Sequence, residues 1–378
     1  MNIKQRNIKQ STNSKVVIIS KNIHPKSKPR ANRATELAKE FGKQGYDVSL
    51  YAVLGKYNYN EFEKKYNVKV RNLGKMLFAT SDSDDNSRNT LIDKVLRKLF
   101  RKTLDFPDIE LSFKTVKILK KEKDADLLIT IGKPFTIHWG AAWAKKKYNK
   151  SFPKLWIADC GDPYMGSQFS TRPFYFKYVE KWFCNLADYL TIPVQGAMNG
   201  YYKEFHHRIK VIPQGFNFDE IEIPEKIENK LPTFIYAGTF FPNGRDPKNL
   251  LNYLKTINRP FKFIIHTDSL KYVTPHLREL GDKIELYGFI PREKLLPKMA
   301  QADFLINFDN GTKVQSPSKL IDYAIAKRPV LNIFDNDEQP KELRSFINGD
   351  YSSQLEIKNI EQYRIENVVN RFLNIISI

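Results

Sequence analysis

A polar segment near the C-terminal end of the sequence has the residue types of an anion-binding helix start. Ser316 is a suitable N-cap, and Pro317 fits the first helical position. The backbone amides of Ser318 and Lys319 then lack acceptors within the helix, and the helix dipole favours a phosphate beside them. Lys319 can add a charge-assisted bond, and Asp322, one turn later, is placed for a sugar diol. These residues indicate a nucleoside diphosphate site.

The same spacing also fits a capped helix that binds no ligand. Such a helix would bury an apolar face made of Leu320, Ile321, Ala324 and Ile325. Asp322 would then be solvated. Short motifs often match by chance, so the local pattern leaves both interpretations open.

Two carboxylates follow a predicted strand in the first half of the chain. Asp159 and Asp162 come after "KLWIA", at the carboxyl end of a strand, where substrate-facing groups lie in open α/β sheets. Asp162 could orient or deprotonate an acceptor hydroxyl, whereas Asp159 could instead cap a turn. Lys133, in "IGKPF", also follows a strand and could meet a phosphate or the acceptor. A glycosidase with paired carboxylates is the alternative, but elements built for a nucleotide argue against it.

A further loop combines glycine with basic side chains. Gly238 and Thr239 end the strand pattern "TFIYAGTF", and Arg245 and Lys248 follow in "FFPNGRDPK". Fixed cations and helix amides can stabilise a departing diphosphate without a metal. Simple solvent exposure in a surface loop is the alternative for both cations.

Composition limits the class of protein. The 378 residues are 41% hydrophobic and 13% aromatic, which predicts a folded chain of about two domains. Cys160 and Cys184 fit no metal spacing, and the isolated His24 and His138 fit structural roles better than catalysis. With a mean hydropathy of −0.50, no long apolar run and no signal-peptide pattern, we expect a soluble, cytoplasmic protein.

The net charge of +20 predicts an anionic partner without identifying it. Part of the excess also fits a general bias of the sequence towards Lys, Asn and Ile. Residues 91–106, "LIDKVLRKLFRKTLDF", have the spacing of a basic amphipathic helix, which suits an anionic membrane surface. A helix packed on its own domain, with a solvated basic face, is the alternative.

The elements that position these residues alternate between strand and helix patterns. "KVVIIS", the helical "RANRATELAKEFGKQG" and "YDVSLYAVL" form a first β-α-β unit, and a second series begins with "TFIYAGTF". We therefore predict an α/β fold of two doubly wound, Rossmann-like domains that face a cleft, where the ligands bind. The predicted parts are a disordered tail (1–14), an N-terminal domain (15–218), a linker (219–232), a C-terminal domain (233–355) and an amphipathic C-terminal helix (356–378).

Several of these segments resemble one enzyme family. "SPSKLIDYAIAKRPVL" resembles the donor-nucleotide segment of GT-B glycosyltransferases, specifically the large retaining group called family 4 and its relatives. "KLWIADCGDPYMGS", "RIKVIPQGFN", "FIYAGTFFPNGRDPKNLL" and "IELYGFIPREKLLPKMAQADFLINF" resemble further segments of the same group. The resemblance covers most of residues 15–335, and its strength lies in the collinear order of the segments.

The resemblance implies a retaining glycosyltransferase with a nucleotide-sugar donor. The C-terminal domain would bind the donor, UDP-linked rather than GDP-linked, without a metal or other cofactor, and the N-terminal domain would bind the acceptor. Donor contacts are then expected from the glycine loop and the helix start, namely Gly238, Thr239, Arg245, Lys248, Ser316, Pro317, Ser318, Lys319 and Asp322. Asp162 and Asp159 become the catalytic candidates. The implied acceptor is a cell-surface glycan, a glycolipid or a polysaccharide precursor, built on the inner face of the membrane.

The sequence departs from the family pattern at several positions. Asp322 replaces a longer Glu, and Lys327 replaces the Gly that normally ends the donor helix, at a cost of about 1 kcal/mol if the left-handed conformation is kept. Gln214 and Asn217 alter the end of the first domain, and its first loop, "NIHPKSKPRANR", lacks a Gly-Gly pair. Residues 309–311 stand where the other glutamate of a pair is expected.

These departures keep other functions open. A degenerate GT-B subunit would bind nucleotide or a partner without turnover. A nucleotide-sugar epimerase would use the same architecture. A nucleic-acid binder ranks third, because no recognised nucleic-acid motif accompanies the charge.

Overall fold

The chain is seen here in a computed structural model, which describes residues 14–26, 28–78, 100, 103–167, 172–220, 222–242, 244–309, 318–334, 337 and 339–376. The chain is divided into two compact units. Residues 1–217 and 362–378 belong to the first unit, and residues 218–361 form the second. Residues 1–13 of the predicted tail and most of the predicted helix at 91–106 lie outside the described residues.

Each unit is built on a parallel β-sheet. Among the described residues, the first sheet has seven strands in the order β3-β2-β1-β4-β5-β6-β7, and the second has five in the order β10-β9-β8-β11-β12. The strands of the first sheet are β1 Lys15–Ile19, β2 Asp47–Ala52, β3 Val68–Asn72, β4 Leu127–Ile131, β5 Leu155–Asp159, β6 Tyr189–Ile192 and β7 Ile209–Val211. Those of the second are β8 Thr233–Ala237, β9 Lys262–His266, β10 Ile284–Tyr287, β11 Phe304–Asp309 and β12 Val330–Phe334.

Helices alternate with the strands along the chain. They are α1 Pro29–Lys43, α2 Asn60–Tyr66, α3 Glu110–Leu119, α4 Thr136–Lys147, α5 Phe176–Leu186, α6 Lys248–Lys255, α7 Leu277–Leu280, α8 Arg292–Gln301, α9 Ser318–Ala326, α10 Lys341–Ile347 and α11 Ile365–Ile376. None of these described helices is long and apolar enough to cross a membrane. In both sheets the strand order steps outward from the first strand and then reverses, as in doubly wound folds. The predicted pair of Rossmann-like domains is confirmed.

The strands of the first sheet supply two apolar layers, one on each face. Val17 and Leu128 belong to one layer, whereas their neighbours Ile18 and Ile129 belong to the other. Successive side chains point to opposite faces, so a strand covered on both sides needs apolar residues throughout. This requirement explains near-continuous apolar strands such as "LLITI".

An aromatic stack forms the centre of the second unit. The ring of Phe234 on β8 lies 4.6 Å from that of Phe263 on β9 and 4.6 Å from that of Phe304 on β11. All three rings are fully buried. The stack joins the central strand β8 to both of its neighbours.

The C-terminal helix belongs to the first unit rather than to the domain that precedes it. The sequence predicted a helix over 356–378, but α11 begins at Ile365, after a short 3-10 turn at Ile360–Tyr363. Its side chains Val368, Val369 and Phe372 are buried in the layer that also holds α1. The amphipathic pattern therefore covers a sheet face of the first domain.

Lys327, which ends α9, adopts the left-handed conformation with a φ of +53°. Its backbone amide donates to the carbonyl oxygens of Tyr323 and Ala324, so the cap of the helix depends on this conformation. A side chain with a Cβ is disfavoured there relative to glycine.

Replacing Lys327 with glycine should therefore stabilise the second unit. We expect Lys327→Gly to raise the free energy of unfolding by about 0.5–1 kcal/mol, measured by urea denaturation. Lys327→Ala is the matched control, because it removes the same charge but keeps the Cβ. Equal stability of the two variants would show that strain at this cap is not the cause.

Candidate functional site

A partly buried lysine lies beside the carboxyl end of the central strand of the second sheet. Lys319, in the first turn of α9, places its Nζ 3.1 Å from the hydroxyl oxygen of Tyr236 and 4.5 Å from its ring centroid. Gly238 directly follows β8 with a φ of +148°, and a Cβ at this position would collide with the Lys319 ammonium. The positive φ favours glycine here, and the missing Cβ leaves room for the lysine.

Arg245 brings a second positive charge to the same place. Two backbone hydrogen bonds of 3.2 Å between Phe241 and Arg245 fold the glycine loop back on itself. The Arg245 Nε is buried and has no hydrogen-bond partner within the described residues. Burial, and then the charge of Arg245, lower the pKa of Lys319 to about 7.

Neither cation is ion-paired within the described part of the chain, although the nearby charge of Asp322 opposes the lowering of the Lys319 pKa. No described carboxylate forms an ion pair with Lys319 or with Arg245. Lys319 is partly buried, and the Nε atom of Arg245 is buried. Two positive charges held together in such surroundings are unfavourable unless a ligand neutralises them. The arrangement is therefore a candidate anion site.

Asp322 is held by a residue that the sequence analysis did not select. Arg292, at the start of α8, places its Nε 2.6 Å from Asp322 Oδ1. Burial raises the pKa of Asp322, and the Arg292 charge opposes that shift. The ion pair fixes the carboxylate, so a sugar hydroxyl would have to approach its other oxygen.

The remaining donor-side predictions have mixed placements. Ser316 and Pro317 lie outside the described residues, and α9 is seen from Ser318 onwards. Thr239 is exposed, and its hydroxyl donates to Asp268 over 3.3 Å. Lys248 is exposed at the start of α6. Among the described residues, no side-chain hydrogen bond joins Thr239 or Lys248 to Lys319.

Asp159, the last residue of β5, is buried in an ion-pair network of the first unit. Arg33 donates to both of its oxygens, with Nη2 2.8 Å from Oδ1 and Nε 3.3 Å from Oδ2. Arg30 donates to Oδ2, and the Thr191 hydroxyl donates to Oδ1 over 2.7 Å. Burial alone raises the pKa of Asp159, but the charges of Arg33 and Arg30 hold it well below its usual range. A carboxylate so fully engaged is a poor proton acceptor and a good anchor for the two arginines.

Asp162 lies in the loop that follows β5 and is available to solvent. Its Oδ2 is 2.5 Å from the Nζ of Lys133, and both side chains are 53% exposed. The structure therefore brings together Asp162 and Lys133, the two predicted residues that follow neighbouring strands β4 and β5. An exposed pair of this kind is weakly held, so either group can exchange its partner for a ligand.

The histidines and cysteines of the first unit have structural environments. The Thr130 hydroxyl accepts from the Trp156 ring over 2.8 Å, and its oxygen lies 2.7 Å from Nδ1 of the buried His138. Burial lowers the pKa of His138 to about 3, which keeps it neutral. His24 is exposed beside Tyr57. No cluster of three or more His, Cys, Asp or Glu among the described residues is arranged to hold a metal.

Sequence reasoning missed four residues of these sites, namely Tyr236, Arg292, Arg30 and Arg33. Tyr236 had a usable signal, because a polar aromatic two residues before a strand-ending glycine lies at a sheet edge. The two arginines of "RANR" were also visible as cations three apart at the start of a helix. Their partners lie more than 100 residues away in the sequence, so the pairing itself was not readable.

No protein-family model matches the chain, and no curated protein sequence matches it. Solved structures do match over nearly the whole length. A glycosyltransferase from Rickettsia africae ESF-5 has a TM-score of 0.63 at 13% identity, covering 97% of this chain and 98% of that one. HepE of Anabaena, in complex with UDP and glucose, has a TM-score of 0.58 at 11% identity, covering 96% and 99%. UDP-GlcNAc 2-epimerase from Neisseria meningitidis, bound to UDP-GlcNAc, has 0.54 at 13%, covering 96% and 98%.

These likenesses define the class of fold. The chain has the GT-B fold of two Rossmann-like domains, as the sequence analysis predicted. At 11–13% identity they carry the fold alone. The chemistry has to be argued from this chain's own residues.

The unpaired lysine should lower the stability of the second unit at neutral pH. The folded pKa of Lys319, about 7, lies below its ordinary value of 10.5, so the unfolded chain binds more protons between these values and stability rises with pH. Lys319→Met should raise the free energy of unfolding at pH 6.5 by on the order of 2 kcal/mol, and less than half of that gain should remain at pH 9.5.

Urea denaturation at the two pH values measures this difference. Lys248→Met, at an exposed lysine beside the same loop, is the control and should change stability by less than about 0.5 kcal/mol at either pH. A gain for Lys319→Met that does not depend on pH would contradict a buried, unpaired charge.

Proposed function

We propose that this chain is a retaining glycosyltransferase that moves a sugar from a nucleotide-sugar donor to a cell-surface glycan, glycolipid or polysaccharide precursor. One observation carries the proposal. Lys319 and Arg245 converge at the carboxyl end of β8 without a described carboxylate partner, at the edge where doubly wound sheets bind nucleotides. The retaining outcome rests on the resemblance to family 4.

The donor diphosphate is assigned to the second unit. Lys319 and Arg245 neutralise the charge that develops on the departing diphosphate, and the first amides of α9, at Ser318 and Lys319, donate to its oxygens. Lys248 adds charge from the loop border. This set of donors works without a metal ion. Asp322, oriented by Arg292, takes the ribose hydroxyls.

UDP is the proposed nucleotide, in preference to GDP. HepE was solved with UDP and glucose, and the Neisseria epimerase with UDP-GlcNAc, each on the same fold as this chain. These are properties of those proteins and support the choice for this one only by analogy. The side chains described here do not discriminate between the two bases.

The acceptor is assigned to the first unit. Asp162 orients the acceptor hydroxyl or removes its proton, and the acceptor displaces the exposed Lys133 ammonium from the carboxylate. Asp159 does not touch the acceptor in this assignment. It fixes Arg30 and Arg33 at the carboxyl end of β5, next to the Asp162 loop.

Work on a lipid-linked or envelope glycan implies contact with the inner face of the membrane. The basic amphipathic pattern at 91–106 and the net charge of +20 support such a peripheral, cytoplasmic location. Most of that segment lies outside the described residues, so its sequence alone supports this part of the proposal.

A nucleotide-sugar epimerase is the second candidate. It is favoured by the likeness to the Neisseria enzyme, which covers 96% of this chain. Incubation with UDP-sugars distinguishes the two activities, because an epimerase forms an isomer without any acceptor. Binding of UDP without any turnover would instead identify a degenerate subunit.

Removing either cation should weaken the binding of UDP. Lys319→Ala and Arg245→Ala should each lose about 1.5–3 kcal/mol of binding free energy in calorimetry, the range for hydrogen bonds to charged groups. Because Lys319 titrates near pH 7, binding to wild type at pH 8 should also take up protons, seen as a buffer-dependent enthalpy.

The control for this measurement is Lys271→Ala, an exposed lysine elsewhere in the second unit. It should bind UDP as wild type does. If Lys319→Ala and Arg245→Ala both bind UDP with wild-type affinity, the assignment of the diphosphate to this site is wrong.

Asp162→Asn should reduce turnover far more than it reduces donor affinity. The amide keeps the shape of the side chain but cannot take a proton, so we expect a loss of about 100-fold or more in kcat with UDP affinity unchanged. Glu204→Gln is a matched control, because Glu204 is also 53% exposed and also paired with a lysine, Lys181, in the same unit. Full activity of Asp162→Asn would exclude Asp162 from the mechanism.

A further inference from the structure

The loop that carries Asp162 is enclosed on several sides. Gly166 packs so closely against Gly200 that a Cβ on either residue would meet the facing segment. The Tyr201 hydroxyl lies 3.4 Å from the carbonyl oxygen of Asp162. The Tyr164 hydroxyl donates to Asp105 Oδ2 over 2.9 Å. The backbone of residues 162–166 is therefore held by its surroundings, while the Asp162 side chain points into solvent.

A buried carboxylate on α5 closes the remaining side. Glu180 is fully buried, and its Oε1 accepts from the backbone amide of Tyr164 over 3.2 Å and from that of Met165 over 3.5 Å. Its other oxygen, Oε2, is buried and has no hydrogen-bond partner among the described residues. One oxygen of this carboxyl group thus accepts hydrogen bonds from the loop, whereas the other oxygen is buried without a described donor. Buried polar atoms are rarely left in this state without a functional reason.

Arg172, whose charge acts on Glu180, is paired with another carboxylate. Arg172 has its Nη1 2.5 Å from Asp105 Oδ1 instead. Its guanidinium carbon also lies 3.9 Å from the centroid of the Tyr164 ring. Arg172 therefore stabilises the outer side of the loop through Asp105 and Tyr164, and Glu180 holds the inner side alone.

Glu180 is the group around this loop that changes charge near neutral pH. The titratable and charged groups that act on it or that it acts on are Cys160, Cys184, Tyr164, Tyr201, Tyr202 and Arg172. Burial raises the pKa values of both thiols and of the three phenols, so these groups stay neutral. Burial raises the pKa of Glu180 to about 7, against the lowering effect of its two loop hydrogen bonds and of Arg172.

We propose that Glu180 is a positioning residue for the Asp162 loop, which it holds firmly when ionised and loosely when protonated. An ionised carboxylate accepts hydrogen bonds from backbone amides more strongly than a neutral carboxyl group does. As pH rises through 7, the inner side of the loop is tightened and Asp162 is presented to the acceptor in one orientation. The inference rests on the proposed acceptor role of Asp162, but the state of the loop can be measured without any turnover.

Hydrogen exchange on the free protein tests the loop directly. The peptide that contains the amides of Tyr164 and Met165 is followed by mass spectrometry from pH 5.5 to 8.5, with the intrinsic pH dependence of exchange removed. In wild type we expect protection to rise about fivefold to tenfold with a midpoint near pH 7. Glu180→Gln, which cannot ionise, should show the low protection at every pH.

Glu40→Gln is the matched control. Glu40 is also buried, its pKa is also raised by burial, and it lies on α1, bonded to Gln44 and not to the loop. This variant should keep the wild-type exchange profile of the Asp162 loop. Protection in wild type that does not change with pH would overturn the inference even if Glu180→Gln failed to fold.

Kinetics supply the second test once an acceptor is known. In wild type the KM for the acceptor should fall as pH rises through 7, while the KM for the donor should not. Glu180→Gln should abolish that transition and keep a high acceptor KM. An unchanged pH profile in Glu180→Gln would reject the positioning role. If no acceptor supports turnover, the proposed function fails, and the exchange experiment still decides the role of Glu180.

Discussion

Parallel strands end at the same edge of a sheet, and this constraint brings together the strand-end residues of both candidate sites. In the first unit it brings the ends of β4 and β5 together, with Lys133 and Asp162 on the loops that follow. In the second unit it places Gly238 at the end of the central strand β8. The central strands are apolar along most of their length because both of their faces are buried, so the polar groups of these loops lie at or beyond the strand ends.

The two sheet edges differ in how their charges are balanced. At the first, Asp159 is matched by Arg30 and Arg33, and the resulting network ties α1 to β5. The Arg33 guanidinium also lies 5.3 Å from the Phe372 ring of α11, so the C-terminal helix depends on the same network. At the second edge, Lys319 and Arg245 are left without a described carboxylate. A balanced edge stabilises a fold, whereas an unbalanced one requires a ligand.

Much of this organisation was readable in the sequence, because apolar periodicity and the position of glycine are local properties. The β-α-β series, Gly238 after β8, and the basic residues Lys319 and Arg245 were all predicted. The partners of the charged groups were not. Asp322 meets Arg292 thirty residues upstream, and Asp159 meets Arg33 more than 100 residues upstream, and such pairs depend on strand order that no local pattern specifies. Glu180 was missed for a similar reason, since on the sequence it is one acidic residue in an ordinary amphipathic helix.

Lys319 and Glu180 share a property that connects stability to function. Both have a folded pKa of about 7, reached from opposite directions. Between pH 4.5, the ordinary pKa of a glutamate, and pH 7, the folded state binds more protons at Glu180 than the unfolded chain does. The free energy of unfolding therefore falls as pH rises through this range, and the loss is complete above it. For Lys319, the loss is complete below 7 and is recovered only as pH rises towards 10.5. Near neutral pH both groups therefore destabilise the fold close to their maximum extent. The net free energy of unfolding of natural proteins is small, so two destabilising groups are expected to be kept only if each has a function. A bound diphosphate would relieve the lysine by supplying its missing counter-charge. Glu180 is fully buried, and its carboxylate instead holds the backbone amides of the Asp162 loop.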